Sequence, residues 1–314
     1  MQAGLGTQCA AHGSQESGMT KEKVRFDSDG LELAGDLYKP EDFDSSKRYG
    51  AVVVAGSFAS VKEQMSGTYA RKLAERGLVA LALDYRNWGE SEGQPRQYEN
   101  SPLKRVDLSS AVTYLLSLPY VRSVSALGVC ASGGAVGDLA ARDERLSVVA
   151  FVAPMLANPE VLSAGLGEAP EALEANIQAA AAAREHYENT GEAARITVYS
   201  STDPTAFYTG ECDYYENPSR GNVPEFTNET VVMSLENILR FHPYDSAPLI
   251  SIPAIVFASD LCVTAEVTKS FYEELKGPKE LAWGVDPHFD YYDKPDLVNQ
   301  VTEKASDFFK AHLP

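Results

Sequence analysis

The chain has 314 residues, 44% hydrophobic and 23% charged, with a net charge of −18 from 27 Lys and Arg against 45 Asp and Glu. That length allows one large domain or two ordinary ones around a full core, and the composition excludes a disordered or collagen-like chain. The acidic excess argues against nucleic acid or an anionic membrane as a partner, since both need positive patches that displace counterions, and no run reaches the roughly 18 apolar residues of a membrane span.

Residues 1–20 are rich in Gly, Ser, Gln and Ala, lack the apolar stretch of a secretory signal, and read as a flexible tail. Lys23–Phe26 and Leu31–Tyr38 predict two short strands, the second alternating apolar and polar residues as a half-buried antiparallel strand does. Ser28-Asp29-Gly30 between them is a hairpin turn. The texture then changes to continuously apolar runs, the mark of strands covered on both faces. These are Ala51–Ala55, Leu78–Leu83, Val124–Val129, Val148–Val152, Ile252–Ala258 and Leu281–Val285. Helical patterns separate them at about 65–76, 103–118, 133–143, 263–276 and 295–312. The alternation predicts an α/β fold, an eight-stranded mostly parallel sheet with an antiparallel edge and helices on both faces.

One interval breaks the rhythm. Residues 155–248 contain an Ala-rich helix at 171–188, a helix candidate at 231–240, and between them the aromatics Phe207, Tyr208, Tyr214 and Tyr215. An excursion this long between core strands predicts an inserted helical lid; the alternative is a peripheral helical layer. The division is then a tail (1–20), a core (21–154 and 249–314) and a lid (155–248).

Gly128-Val129-Cys130-Ala131-Ser132-Gly133-Gly134 reads as strand, very tight turn and helix. Such a turn needs small residues two before and two after its apex, which Gly128 and Ser132 supply around Cys130. The apex side chain then stands at a helix N-terminus, which favours a thiolate. The Ala131 N–H would point at a developing oxyanion. A second register, with Ser132 as nucleophile, also satisfies the small-residue pattern. The unbroken apolar run to Val129 favours Cys130. A buried inert cysteine is the bland alternative.

The order of strands, the elbow and a late His resemble the α/β-hydrolases, and GxCxxGG resembles dienelactone hydrolase within them. Over about residues 21–314, Val61-Lys62-Glu63-Gln64, Asp84–Ser91, Gly93-Gln94-Pro95-Arg96 and the elbow are similar to a group of cysteine-elbow α/β-hydrolases to which fungal polyketide transferases are similar. The resemblance implies a His in the loop after the last strand. Of five histidines, His288 lies there, in a motif like the group's HFDxYD. His242 is its competitor near the end of the insertion; His12, His186 and His312 sit in the tail, a lid helix and the C-terminus. The superfamily order of nucleophile, acid and His points to Asp260, directly after strand 252–258. Glu266 is its nearest rival, and Asp286 and Asp290 read as loop braces. The second oxyanion donor is expected from the loop after strand 51–55, at Ser57 or Phe58. Lys62 and Glu63 are expected to pair, a contact of consequence only if buried.

These residues predict a cofactor-free Cys130–His288–Asp260 enzyme that forms an acyl-thioester on Cys130 and passes it to water or to another nucleophile. Phe207, Tyr208, Tyr214 and Tyr215 suggest an apolar acyl or polyketide-like small-molecule substrate. Lactone or C–C bond hydrolysis on the same residues is the alternative within enzymes, and a non-catalytic binding protein the alternative outside them. No dinucleotide fingerprint, phosphate loop or metal-ligand spacing is present, so no cofactor or metal is expected. The four cysteines, at 9, 130, 212 and 262, form no CxxC pair; free thiols in a reducing, cytoplasmic compartment are expected. A homodimer is left open.

Overall fold

An Asp-Gly pair makes the first turn. Asp29 and Gly30 have φ of 54° and 81°, both positive as a two-residue type I′ turn requires. They join β1 (Thr20–Ser28) to β2 (Leu31–Lys39) in antiparallel register. The computed structural model describes residues 20–156 and 170–313. All of the expected tail except Thr20, and part of the expected lid, lie outside the described residues.

The first half of the core follows the alternation: β3 (Tyr49–Ala55), α1 (Met65–Ala74), β4 (Val79–Leu83), α2 (Ser101–Ser117), β5 (Val121–Val129), α3 (Ala131–Ala140) and β6 (Leu146–Val152). The insertion contributes α4 (Pro170–Thr190), β7 (Arg195–Thr197), β8 (Tyr199–Ser200), β9 (Tyr208–Thr209), α5 (Asp213–Glu216), β10 (Glu229–Val231), α6 (Ser234–Leu239) and a 3₁₀ turn, Pro243–Leu249. The core then resumes with β11 (Ala254–Ser259), α7 (Ala265–Glu274), β12 (Lys279–Gly284), α8 (Asp290–Asp293) and α9 (Pro295–His312).

The eight-stranded sheet has the order β1-β2-β4-β3-β5-β6-β11-β12. β1, β2 and β4 pair antiparallel and the rest parallel. Every residue of β4 is buried, and Val52, Val53 and Val54 of β3 are wholly inaccessible, which explains their unbroken apolar runs. α1 packs on α9 and α2 on α3, while the 3₁₀ turn touches both α3 and α7. α9 buries Leu297, Val298, Val301, Ala305, Phe308 and Phe309, the three-to-four-residue spacing of an amphipathic helix.

The insertion is less purely helical than its sequence suggests. β7 pairs with β10 and β8 with β9 as two small sheets. The helix expected over 231–240 shortens to α6, because Val231 is taken up in pairing with Arg195. Strands of two or three residues are below what periodicity can detect.

Candidate functional site

The strand-to-helix turn after β5 is fixed by sterics. A Cβ on Gly128 would stand 2.3 Å from the Ser132 carbonyl oxygen, so no larger residue fits two positions before the apex. Cys130 itself has φ 53° and ψ −119°, a left-handed φ that costs an L-residue about 1–2 kcal/mol. Three backbone bonds hold it there. Its N–H donates to Val152 O at 3.0 Å, and its carbonyl accepts from Gly133 N–H at 2.8 Å and Met155 N–H at 2.9 Å. Ser132 is turned into the core, 0% exposed, with its hydroxyl 3.0 Å from the Tyr85 hydroxyl. The apex is Cys130, and the alternative register places Ser132 inside the fold.

Cys130 is only 7% exposed. Burial pushes the Cys130 thiol up, outweighing hydrogen bonds from the Tyr292 hydroxyl and the Ala131 and Phe58 N–H groups that favour the thiolate. Desolvation therefore overrides the helix-terminus effect, and the resting sulfur is a thiol. The sequence left Ser57 and Phe58 unseparated; the Phe58 N–H is the one turned to the sulfur. The Ser57 hydroxyl lies 2.5 Å from the Tyr215 hydroxyl, and the Phe58 carbonyl accepts from Tyr199 at 2.9 Å. Two insertion tyrosines thus fix the loop after β3 from above.

Lys62 fixes the same loop from below. Its side chain is 1% exposed and pairs with Asp84 at 2.8 Å, Glu63 at 2.7 Å and Glu90 at 2.7 Å. Burial opposes its charge, but these carboxylates more than offset that and hold Lys62 above the ordinary lysine range. The Asp84 carboxylate also accepts from the Lys62 and Glu90 N–H groups. It fills the space a Cβ on Gly89 would need, 2.2 Å away, at a φ of 49°. The pair expected between Lys62 and Glu63 is one edge of a buried network.

His288 is 5% exposed. Its Nε2 is 3.0 Å from the Tyr292 hydroxyl and its Nδ1 is 3.5 Å from the Val263 N–H. Burial lowers its pKa to about 4. His186 and His242 are exposed, and His12 lies outside the described residues.

Asp260 and His288 share no hydrogen bond: the partners of Asp260 are Lys269 and Trp283, and those of His288 are Tyr292 and Val263. Its carboxylate is 72% exposed, paired with Lys269 of α7 at 2.7 Å and accepting from Trp283 Nε1 at 3.2 Å. The hydrogen bond from Lys269 holds it below the usual carboxylate range. A cation and an indole N–H, neither next to it in sequence, flank Asp260 on the surface. Glu266 shares Lys269 and is exposed. Asp286 and Asp290 both pair with Lys294, as loop braces do.

The four aromatics separate. Phe207 packs on Phe58, ring centroids 4.9 Å apart, and with Ala131, Met155, Ile238, Phe241 and Glu99 it lines a cavity of about 40 Å³. Tyr208 lines a more open cleft of about 380 Å³ with His288, Phe289, Leu261, Val263 and Arg220. Tyr214 and Tyr215 are 2% and 1% exposed and form an edge-to-face aromatic cluster with Tyr292. Tyr214 is a core residue, whereas Tyr215 presents its hydroxyl to Ser57.

Sequence reasoning missed Tyr292 and Tyr199. Tyr292 stands four residues after His288 in the same motif, the spacing that places two side chains on one face of a helical turn. Tyr199 carries no such signal.

Among the described residues no group of three or more His, Cys, Asp or Glu could hold a metal ion, and no helix is long and apolar enough to cross a membrane. Cys130, Cys212 and Cys262 are free thiols.

No family model matches the chain. It is 29% identical over 274 residues to the thiohydrolase aneE of Aspergillus aculeatus, covering 81% of each chain. To the polyketide transferase claH of Penicillium crustosum it is 27% identical over 282 residues, covering 83% of this chain and 87% of that one. The crystal structure of the α/β hydrolase GrgF from Penicillium sp. sh18 superposes with a TM-score of 0.79 at 24% identity, over 94% of this chain and 99% of that one. The chain thus has the α/β-hydrolase fold, and its likeness to a thiohydrolase and a polyketide transferase supports a hydrolase-type enzyme.

Proposed function

We propose that the protein is a cofactor-free acyl hydrolase or acyltransferase with Cys130 as nucleophile and His288 as general base. The observation that supports this most is the convergence of the Ala131 and Phe58 N–H groups on the Cys130 sulfur, at a strained apex, with Ala131 and Phe58 also lining a small cavity. Donors placed there would hold the oxyanion as the sulfur attacks an acyl carbon. His288 takes the thiol proton and returns it to the leaving group, leaving an acyl-thioester on Cys130. Water completes hydrolysis; an alcohol or amine completes transfer. Asp260 has no part in this scheme, because its carboxylate belongs to Lys269 and Trp283.

The substrate class is an ester or thioester of an apolar acyl group. Phe58, Met155, Phe207, Ile238 and Phe241 make an apolar wall beside Ala131. At about 40 Å³ the cavity is small for an acyl chain, and the insertion residues Phe207, Ile238 and Phe241 in its wall would move aside to admit one. The insertion segments that carry these residues therefore act as a lid, and their closure would exclude water and favour transfer. A small-molecule substrate is the partner this reading requires.

The test is turnover of p-nitrophenyl esters of graded chain length during iodoacetamide treatment, with peptide mapping of the alkylated site. Turnover is expected to fall in step with carbamidomethylation of Cys130. Full turnover on protein alkylated at Cys130 would refute the nucleophile.

A further inference from the structure

The sulfur and the imidazole are joined by a third side chain. Tyr292 is wholly buried, with its ring held edge-on by Tyr214, Tyr215 and Phe289. Its hydroxyl lies 3.0 Å from His288 Nε2 and faces the Cys130 sulfur, close enough to favour the thiolate. The Tyr215 hydroxyl, itself fixed by Ser57, faces Tyr292 from the insertion side. One phenol therefore touches both partners of the proposed proton transfer, at an angle set by packing on every side.

We propose that Tyr292 is a catalytic residue that relays the proton between Cys130 and His288. The inference rests on the reading of Cys130 as nucleophile and His288 as base. In the relay, the S–H bond breaks as the proton passes to the Tyr292 oxygen, and the Tyr292 O–H bond breaks as its own proton passes to Nε2. The products are a thiolate, a neutral tyrosine and an imidazolium. The reverse passage returns a proton to the leaving group. Burial holds the Tyr292 hydroxyl well above the ordinary tyrosine range, so the two transfers occur together, without a free tyrosinate. The Val263 N–H, at 3.5 Å from Nδ1, is at the outer limit of a hydrogen bond and does not fix the ring proton; the relay runs from the tautomer that carries its proton on Nδ1, whose Nε2 accepts from the Tyr292 hydroxyl. Once formed, the thiolate keeps three donors: the Tyr292 hydroxyl and the N–H groups of Ala131 and Phe58.

Tyr292→Phe keeps the ring and removes only the relay atom. Its kcat/KM for a p-nitrophenyl ester is expected to fall by about 10²-fold or more, the usual weight of general acid–base catalysis. The pH profile of Cys130 alkylation, followed by peptide mapping, supplies a readout that packing alone would not move. Tyr292→Phe is expected to share the profile of His288→Ala, with reaction only at alkaline pH, because both uncouple the sulfur from the imidazole. In mixed H₂O and D₂O the wild-type turnover is expected to follow a curved proton inventory, two protons moving in one step. A Tyr292→Phe profile that matches wild type, or a straight wild-type inventory, overturns the relay. Should the variant fail to fold, the wild-type inventory alone decides. Turnover retained by Cys130→Ala would instead refute the nucleophile, and the alkylation profiles would still decide the relay.

Discussion

Two turns at the carboxyl edge of the sheet have the same local grammar and opposite fates. After β5 the chain turns at Cys130 into α3; after β11 it turns at Asp260 toward α7. Both residues follow buried strands, and both precede helices. Cys130 is 7% exposed, with an N–H from the first residue of α3 and one from the loop after β3 at its sulfur. Asp260 faces solvent at 72% side-chain exposure and is held by Lys269. A strand end gives a residue a place at the rim of the sheet. What covers that place, and which charges stand beside it, decides whether the residue can do chemistry.

The contrast is most exposed to refutation at its dry end. Cys130→Ala is expected to lower turnover by about 10³-fold or more, as loss of a nucleophile does, with the unfolding midpoint little changed; steady-state kinetics and urea titration measure both. His288→Ala is expected to cost about 10²–10⁴-fold in kcat/KM. Lys62→Met leaves the wholly buried Asp84 without its cation, and removal of one partner of a buried pair costs about 3–5 kcal/mol. The unfolding midpoint in urea is expected to fall accordingly.

The pH responses sharpen the same comparison. His288 titrates at about 4 in the fold and at about 6.5 in the unfolded chain. Between those values the unfolded chain binds more protons, so stability rises with pH across the window and is lost as pH falls from 6.5 to 4. At full effect the contribution is about 3 kcal/mol, read as the difference in pH slope between wild type and His288→Gln. The acid limb of kcat/KM is expected below pH 5, since the imidazole stays neutral down to about 4; a limb near 6.5 would place His288 in water. At the wet end, Asp260→Asn is expected to change turnover by less than about fivefold, in keeping with an exposed pair. A loss of 10²-fold or more would mean that the Asp260 carboxylate leaves Lys269 to reach the imidazole during turnover.

Much of the site was readable one residue at a time. The small residues around Cys130 encode the turn because Gly128 has no room for a Cβ. The likeness of Asp286–Asp293 to a family motif led to His288, which lies within one side chain of the sulfur's partner Tyr292. The surroundings of Asp260 have a source that no local pattern contains. Lys269 is nine residues from Asp260 and Trp283 is twenty-three residues away, yet both end beside it. The insertion escaped periodicity because its strands are two or three residues long.

By itself the amino-acid sequence determined the sheet, since short Val-rich apolar runs separated by helical patterns read as strands covered on both faces. It also determined the place of the sharp turn, because sterics act between neighbours in the chain. Tertiary structure alone decided the protonation of the thiol, the choice of Phe58 over Ser57, the burial of Lys62, the outward turn of Asp260 and the placing of Tyr292 between sulfur and imidazole. Each of these depends on dielectric and on contacts between distant segments, and those arise only once the chain has closed around them.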